Sequence, residues 1–445
     1  MLRVAFMPPR GLSYGWRVMR VPGMIPTLAS EGNDKRLGRS RSSRAQATND
    51  RLMDATCEVI FESGWDNLAL TNVAEKASVT TRPLYDRFPD KTELAIACWR
   101  TRASAPLRDS VIHLLELTTD APETAADPAK LMAAYDAFTR PTNRIVVATE
   151  LLCAAFFNDR LRAVITDDIG QWLRAWCLPS KDVSAAQAAK SSYVVASGIG
   201  LVLGSRRTGM ERVDVSGPAM DLVAALNQPS RPARLPRWTG EHMVLPEVNP
   251  ADSAFDRLLA ATLWVIGQVG YAEATLPRIV SAAGVSQGLL YGRFASKLEA
   301  FIAAIDDRQE RGLLKNAEEA ARLAREYGPG IADAVMWREF TRPETRSGRA
   351  LWLEQVRVSW REPELRARTD AAEAIFANEL MRAGGITDRA KGLAEIHWDL
   401  ALGFGAYLLP EVLPGIARLP FDVVTVPLLG GKDRPGIRPA WLHGM

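Results

Sequence analysis

Histidine, cysteine and long apolar runs are all scarce in this sequence. The 445 residues include four histidines and four cysteines, and neither set has the spacing of a zinc site or a C-x-x-C motif. The cysteines, which are predicted to be buried free thiols in a reducing cytoplasm, are Cys57, Cys98, Cys153 and Cys177. No apolar run approaches the roughly 18 residues that span a bilayer, and the N-terminus lacks the apolar core of a signal peptide. We therefore expect a cytoplasmic protein with no metal, no cofactor and no membrane partner.

Motifs of common enzyme classes are missing as well. The chain has neither a phosphate-binding glycine loop nor an H-E-x-x-H pair. A net charge of +3 is too small to hold nucleic acid by a general field, so any such affinity has to come from local clusters of charge. The sequence thus predicts a protein without enzymatic activity, and its 445 residues indicate two to four domains.

One stretch of the chain occurs twice. Residues 51–91 and 257–297 align at a constant offset without insertions. The matching pairs include Leu52/Leu258, Ala55/Ala261, Val59/Val265, Gly64/Gly270, Val79/Val285, Tyr85/Tyr291, Phe88/Phe294 and Lys91/Lys297. Because apolar and turn positions both recur in register, the stretch is a duplicated folding unit.

The repeated unit has the pattern of three helices. Apolar residues over 52–60 recur at helical spacing, and Gly64 can end that helix. A second short helix is predicted over residues 70–77, and Thr80 in the first copy and Ser286 in the second are placed to cap a third. The third helix is predicted to bury Leu84, Tyr85 and Phe88 in the first copy and Leu290, Tyr291 and Phe294 in the second. Two short helices joined by a tight turn let the last helix enter a DNA major groove.

Three short motifs recur in both copies. They are Gly-Trp or Gly-Tyr after the first helix, A-x-V-T/S at the turn, and L-Y-x-R-F-x-x-K on the third helix. Together they resemble the DNA-binding domain of the tetracycline-repressor (TetR) family. The first copy departs from the family pattern at Ser78 and at Arg82-Pro83, and the second at Pro277, inside its predicted second helix. The resemblance implies an all-α protein with two tandem helix-turn-helix DNA-binding domains, each followed by a helical regulatory domain.

The rest of the chain divides by composition around these two units. The predicted divisions are a disordered basic N-terminal arm (1–44), a first DNA-binding domain (45–100), a first regulatory domain (101–228), a linker (229–252), a second DNA-binding domain (253–309), a second regulatory domain (310–420) and a loosely ordered C-terminal tail (421–445). Translation starting at Met24 is an alternative for the first part of the arm. The arm residues expected to reach phosphates or the minor groove are Arg36, Arg39, Arg41 and Arg44.

The regulatory segments are also duplicated, although more faintly. Phe138-Thr-Arg-Pro recurs at Phe340, and Glu150 corresponds to Glu354. The resemblance implies dimerisation through the last two helices of each regulatory domain, and those helices occur twice here. We predict an intrachain pseudo-dimer in which the segments around Gly198 and Gly403 approach closely. A homodimer of two chains with four DNA-binding units is the alternative.

The two third helices are expected to read different bases. Arg82 can pair bidentately with guanine and Gln287 with adenine, each worth roughly 1 to 3 kcal/mol of discrimination. The full set of predicted DNA-contacting residues is Thr80, Thr81, Arg82, Tyr85, Arg87 and Lys91 in the first unit, and Ser286, Gln287, Gly288, Tyr291, Arg293 and Lys297 in the second. An asymmetric operator of two half-sites in double-stranded DNA is therefore predicted.

An unidentified small-molecule effector is implied by the family resemblance. A pocket lined by Phe156, Trp172, Trp176, Trp352, Trp360 and Trp398 is predicted to hold it, although aromatic residues at helical spacing are more often plain core. The resulting prediction is a DNA-binding transcriptional regulator, acting as a repressor that a small apolar ligand releases. A DNA-binding or interaction protein that keeps the fold without induction is the alternative.

Overall fold

The computed structural model describes residues 31–119, 127–207, 213–229, 231–240, 244–383, 387–432 and 434–437. Of these described residues, those up to Asp50 belong to one unit and those from Arg51 onward to a second. The regular structure of the described parts is almost entirely helical, and this confirms the all-α prediction. The helices of the first half are α1 (Glu31–Ser63), α2 (Leu70–Lys76), α3 (Arg82–Arg87), α4 (Lys91–Cys98), α5 (Ser104–Thr119), α6 (Pro128–Thr139), α7 (Asn143–Ala154), α8 (Asp159–Cys177), α9 (Ala185–Gly204) and α10 (Ser216–Leu226), with a π-helical turn at Trp99–Ala103.

The second half repeats this order with fewer and longer helices. They are α11 (Ala254–Glu273), α12 (Leu276–Ala283), α13 (Gln287–Tyr291), α14 (Lys297–Tyr327), α15 (Pro329–Phe340), α16 (Arg346–Ser359), α17 (Pro363–Ala383), α18 (Arg389–Val412) and α19 (Asp422–Leu429). Short 3₁₀ turns lie at Pro343–Thr345 and Ile416–Arg418, and a two-residue ladder pairs β1 (Gly430–Gly431) with β2 (Arg434–Pro435). The predicted boundary at residue 309 falls inside α14, because no proline or glycine pair interrupts that helix before Tyr327.

The first helix starts earlier than the sequence indicated. Helix α1 begins at Glu31, so residues 31–44 of the predicted disordered arm are helical. No proline occurs between Glu31 and Ser63, and a helix that is nucleated by its buried end can extend through such a polar stretch. Residues 1–30 lie outside the described residues, and so do the side chains of Arg36, Arg39, Arg41 and Arg44.

The two halves of the chain pack on each other through α9 and α18. At Gly200 a Cβ would come within 1.7 Å of the Ala401 carbonyl oxygen, and at Gly405 within 2.0 Å of the Ala196 carbonyl oxygen. The predicted close approach therefore occurs, but two residues further along each helix. A Cβ at Gly198 would instead meet the Phe138 ring at 3.1 Å.

Gly403, the second glycine predicted to lie at the close approach, faces open space. A Cβ built there meets no atom within 4 Å. Glycines two residues apart on a helix point about 200° apart, so only one of each pair can face the partner helix. The spacing of the G-x-G pairs was visible in the sequence, but the facing member of each pair was not.

Helices α10 and α19 complete a four-helix contact with α9 and α18. The prediction of a loosely ordered tail is wrong for α19 and the residue before it, since Phe421, Val424 and Leu428 are buried. The centroid of the Phe421 ring lies 4.5 Å from that of the Trp337 ring. Apolar residues dominate α19, and their burial outweighs the glycines and prolines that suggested disorder. Residues 438–445 lie outside the described part.

The linker is docked on the second half. Its described residues, 229, 231–240 and 244–252, contain neither helix nor strand. Trp238 is nevertheless buried, and Arg338 donates a hydrogen bond to the Pro236 carbonyl at 2.7 Å. None of the described helices is long and apolar enough to cross a membrane.

Candidate DNA-binding surface

The third helix of the first unit presents polar residues outward. Leu84 and Phe88 are buried and hold α3 against the unit, as predicted. Thr80, Thr81, Arg82, Tyr85 and Arg87 are all exposed. Tyr85 was expected to cover the core with its ring, but its side chain is 52% exposed and lies on the outward face.

The predicted cap at Thr80 does not form. Helix α3 begins after Thr81, which has helical backbone angles and no side-chain cap hydrogen bond. The equivalent Ser286 does cap α13, because its Oγ accepts the N–H three residues later, that of Leu289, at 3.4 Å. Three residues after Thr80 comes Pro83, which has no N–H to donate. The third helix of the first unit therefore starts one residue later than a cap at Thr80 predicts.

The second unit has the more regular geometry. Leu290 and Phe294 are buried, and Tyr291 is 60% exposed, so its ring also lies outward rather than over the core. The remaining exposed positions of this surface are Ser286, Gln287, Gly288 and Arg293. Pro277 does not disturb α12, because it lies in the first turn, where a missing N–H has no helical partner to lose.

The turn between the second and third helices is left-handed in both units. Gly284 has φ of 61°, and Ser78 at the equivalent position has φ of 53°. Among the described residues Ser78 is the one non-glycine residue with positive φ. The two units thus share one backbone turn, which the first unit forms with a residue that is strained in this conformation.

The two predicted phosphate-binding lysines lie against aromatic rings at equivalent places. Lys91 Nζ is 4.8 Å from the centroid of the Trp65 ring, and Lys297 Nζ is 4.1 Å from that of Tyr271. Lys297 also donates to the Tyr271 carbonyl at 2.6 Å, and burial lowers the pKa of its ammonium. In this structure Lys297 thus holds the end of α11, and it would have to leave that carbonyl to reach a phosphate.

Two buried glutamates join the DNA-binding units to the regulatory helices. Glu150 Oε1 accepts the Trp65 N–H at 3.0 Å. Glu354 Oε1 accepts the Tyr271 N–H at 2.6 Å. Trp65 and Tyr271 each follow a glycine with positive φ at the end of a unit's first helix. The same anchor is therefore built twice, once in each half.

Arg357 connects the two anchors. Its Nη1 donates to Glu150 at 2.9 Å, and its Nε and Nη2 donate to Glu354 at 2.7 and 2.6 Å. Nη2 also donates to Asp66 at 2.6 Å, and Arg361 donates to the second oxygen of Glu150 at 3.0 Å. One guanidinium thus contacts carboxylates of both halves.

The charges of this cluster stabilise one another. Burial alone would raise the pKa of Glu150, but Arg357 and Arg361 more than offset that effect and hold the pKa below its ordinary value. Burial would likewise lower the pKa of Arg357, but Glu354 and Glu150 hold it well above its ordinary value. Both groups therefore stay ionised at neutral pH. The sequence alignment of the two halves paired Glu150 with Glu354 but did not predict the charge cluster. The sequence feature that could have indicated it is a single carboxylate within an otherwise apolar helix.

The six aromatic residues of the predicted effector pocket differ in how deeply they are buried. Phe156, Trp360 and Trp398 are buried, and Trp172, Trp176 and Trp352 are half-buried. Trp172 stacks on Trp99 with ring centroids 5.8 Å apart, and Trp398 lies 5.4 Å from Tyr135. Phe156, Trp360 and Trp398 belong to the large hydrophobic core, and Trp172 and Trp176 pack against it.

The comparisons with known proteins agree with the geometry of the two units. The family model described as bacterial regulatory proteins, tetR family, matches residues 52–98 and again residues 258–304. No curated protein gives a significant match to the chain. The fold and the two matches define a helix-turn-helix DNA-binding transcription regulator. The chain thus carries two TetR-family DNA-binding units in tandem.

Proposed function

We propose that one chain of this protein reads an operator made of two unlike half-sites and regulates transcription in the cytoplasm. The observation that carries the proposal is the difference between two otherwise equivalent reading surfaces. Arg82 is exposed at the start of α3, whereas Gln287 and Gly288 are exposed at the start of α13. Arginine favours guanine and glutamine favours adenine, so the two surfaces favour different base pairs.

The other exposed residues would set the position of each unit on DNA. Tyr85 and Arg87 flank the first reading surface, and Tyr291 and Arg293 flank the second. Arg293 lies with its guanidinium 5.4 Å from the Phe255 ring, which orients it without burying it. Such contacts to phosphates fix the register of a protein on DNA but carry no base preference.

Contact between the two unlike halves is supported by Arg357, which the second half contributes to the buried cluster and the first half does not match. When Glu150 is aligned with Glu354, the position of Arg357 is occupied in the first half by Cys153. A first half that paired with the first half of another chain would bury two Glu150 carboxylates without Arg357 between them. An unpaired buried charge is destabilising by several kcal/mol, so contact between the two unlike halves is favoured.

Repression that a small apolar effector relieves is the regulatory part of the proposal. In the described residues Trp398 Nε1 and His397 Nδ1 are buried without a hydrogen-bond partner. These two atoms lie on α18, next to the contact between the halves. They could form hydrogen bonds with a ligand that displaces core side chains. A ligand shifts DNA affinity only by as much as it prefers the non-binding arrangement.

Sedimentation velocity at nanomolar concentration tests the single-chain form, with and without a duplex that carries both half-sites. The expected results are a one-chain species alone and one chain per duplex. A species of two chains at every concentration would contradict it. Thermal stabilisation by apolar small molecules tests the effector separately; its absence across a broad set would favour a DNA-binding or interaction protein without induction.

A further inference from the structure

Cys57 and Cys98 form a thiol pair inside the first DNA-binding unit. Cys57 lies on α1 and Cys98 is the last residue of α4, and their sulfur atoms are 3.5 Å apart. Both residues are free thiols, and Cys57 keeps a small exposed fraction of 6%, whereas Cys98 is fully buried. A disulfide has an S–S distance of about 2.05 Å, so the sulfurs would have to approach by about 1.5 Å.

The second unit shows that packing does not require thiols at these places. At the constant offset of the repeat, Leu263 stands for Cys57 and Ala304 for Cys98, and both are buried. The core between the first and fourth helices is thus apolar in one unit and carries two cysteines in the other. Any chemistry of the pair is therefore confined to the first unit.

Cationic groups lie beside Cys57. Arg102 donates to Asp54 at 2.7 Å, and Arg144 donates to the same carboxylate oxygen at 3.4 Å. The hydrogen bond from Cys98 lowers the pKa of the Cys57 thiol, and Arg144 and Arg102 add to this against the opposing effects of burial and of Asp54. Burial instead raises the pKa of Cys177 to about 12. Because the thiolate is the reactive form, Cys57 is the nucleophile of the pair.

We propose that Cys57 and Cys98 are a redox modification site, at which a peroxide closes a reversible disulfide that changes DNA reading by the first unit alone. The Cys57 thiolate attacks one peroxide oxygen, the O–O bond breaks, and the leaving hydroxide takes a proton to become water. The resulting sulfenic acid is attacked by the Cys98 sulfur after that thiol gives up its proton. The S–S bond forms, the S–O bond breaks and a second water leaves, so two thiols lose two electrons to one hydrogen peroxide.

The structure indicates how the disulfide would act. Helix α4 follows the reading helix directly and begins at Lys91, four residues after α3 ends. Drawing the end of α4 toward α1 would shift α4, and α3 is joined to the start of α4 by the short segment 88–90. A dithiol reductant reverses the change by thiol–disulfide exchange. The effect on DNA rests on the proposed function, whereas formation of the disulfide does not.

The test treats the full chain with hydrogen peroxide and follows two readouts. Intact mass should fall by two hydrogens, and peptide mapping should join the Cys57 and Cys98 peptides while Cys153 and Cys177 stay reduced. Binding to the half-site of the first unit should then fall several-fold, binding to the other half-site should stay unchanged, and a dithiol should restore the first. The matched control combines Cys57→Leu with Cys98→Ala, which installs the residues of the second unit and should remove both responses.

Several results would overturn the proposal. One is a disulfide that involves Cys153 or Cys177, and another is overoxidation of Cys57 without cross-linking. A third is an equal loss at both half-sites, or no change at either, once the disulfide has been mapped. If the reduced protein binds neither half-site, the proposed function fails, while peptide mapping still decides whether the cysteine pair closes.

Discussion

Gly200 of the first half and Ala401 of the second lie in close backbone contact. The backbone of α9 approaches α18 so nearly that a Cβ on Gly200 would lie 1.7 Å from the Ala401 carbonyl oxygen. Gly405 and Ala196 repeat the relationship with the roles of the halves exchanged. This reciprocity is the signature of an isologous interface, which here lies within one chain.

Alanine at Gly200 or Gly405 should loosen the contact between the halves. Each new Cβ would collide with backbone that cannot rotate away, and overpacking of this kind typically costs about 1–3 kcal/mol. Denaturant unfolding measures the loss of stability. Gly403→Ala on the same helix is the matched control, since its Cβ meets nothing within 4 Å and alanine favours a helix over glycine by up to about 1 kcal/mol. Equal effects at 403 and 405 would show that this close approach is not real.

Ser78→Gly should stabilise the first DNA-binding unit. Ser78 has φ of 53°, in the left-handed region where a side chain is strained, and glycine adopts this region freely. The expected gain in unfolding free energy is about 1 kcal/mol. The reverse change, Gly284→Ser in the second unit, should lower stability by a similar amount. A loss of stability in Ser78→Gly would mean that the turn does not adopt the left-handed conformation.

Arg357→Met should be one of the most damaging single substitutions in the chain. It would leave Glu150 and Glu354 buried without the guanidinium between them, and breaking a buried charge cluster in this way costs about 3–5 kcal/mol. Arg368→Met is the control, because Arg368 pairs with Asp306 at the surface, where an ion pair is worth about 1 kcal/mol or less. Chemical denaturation of the two variants should separate them clearly, and similar midpoints would contradict the described cluster.

Stability should fall on acidification in part through His397. Burial and the nearby Arg207 lower its pKa from 6.5 to about 4, with Asp370 opposing them. The stability that neutral His397 contributes is complete above pH 6.5, which is its pKa in the unfolded chain. This stability is lost as pH falls from 6.5 toward 4, since the unfolded chain takes up a proton on this histidine before the folded protein does. At about 1.4 kcal/mol per pKa unit the loss is on the order of 3 kcal/mol.

His397→Gln should remove this part of the pH dependence. The difference in unfolding free energy between the variant and the original chain is expected to stay constant at alkaline pH and to change as pH falls through 6.5. A difference that does not vary with pH between 7 and 4 would show that His397 is not held neutral by its surroundings.

Local sequence signals predicted the DNA-binding units well. The repeat, the glycines at 64 and 270 and the buried leucine and phenylalanine of each third helix all act through neighbouring residues, so a pattern of spacing reports them. The uncapped start of α3 was equally local. Pro83 removes the N–H that a cap at Thr80 needs, and that conflict was readable in the sequence.

Contacts between distant parts of the chain were not predictable in the same way. Arg357 meets Glu150 across 207 positions of sequence, and nothing in either local pattern names the other. The burial of α19 depends on contacts that the rest of the molecule supplies. The glycines and prolines of residues 421–445 therefore led to a wrong prediction of a loosely ordered tail. The facing glycine of each G-x-G pair likewise depends on how α9 and α18 are rotated about their axes.

In vitro selection of duplex DNA by the purified full chain tests the central claim most directly. At about 150 mM salt, non-specific phosphate binding is weak and base reading dominates the enrichment. The account predicts two unlike half-sites about one helical turn apart, with Arg82→Ala relaxing preference at one of them and Gln287→Ala at the other. A symmetric palindrome, or uniform weakening by either substitution, would contradict a single chain that reads DNA with two different units.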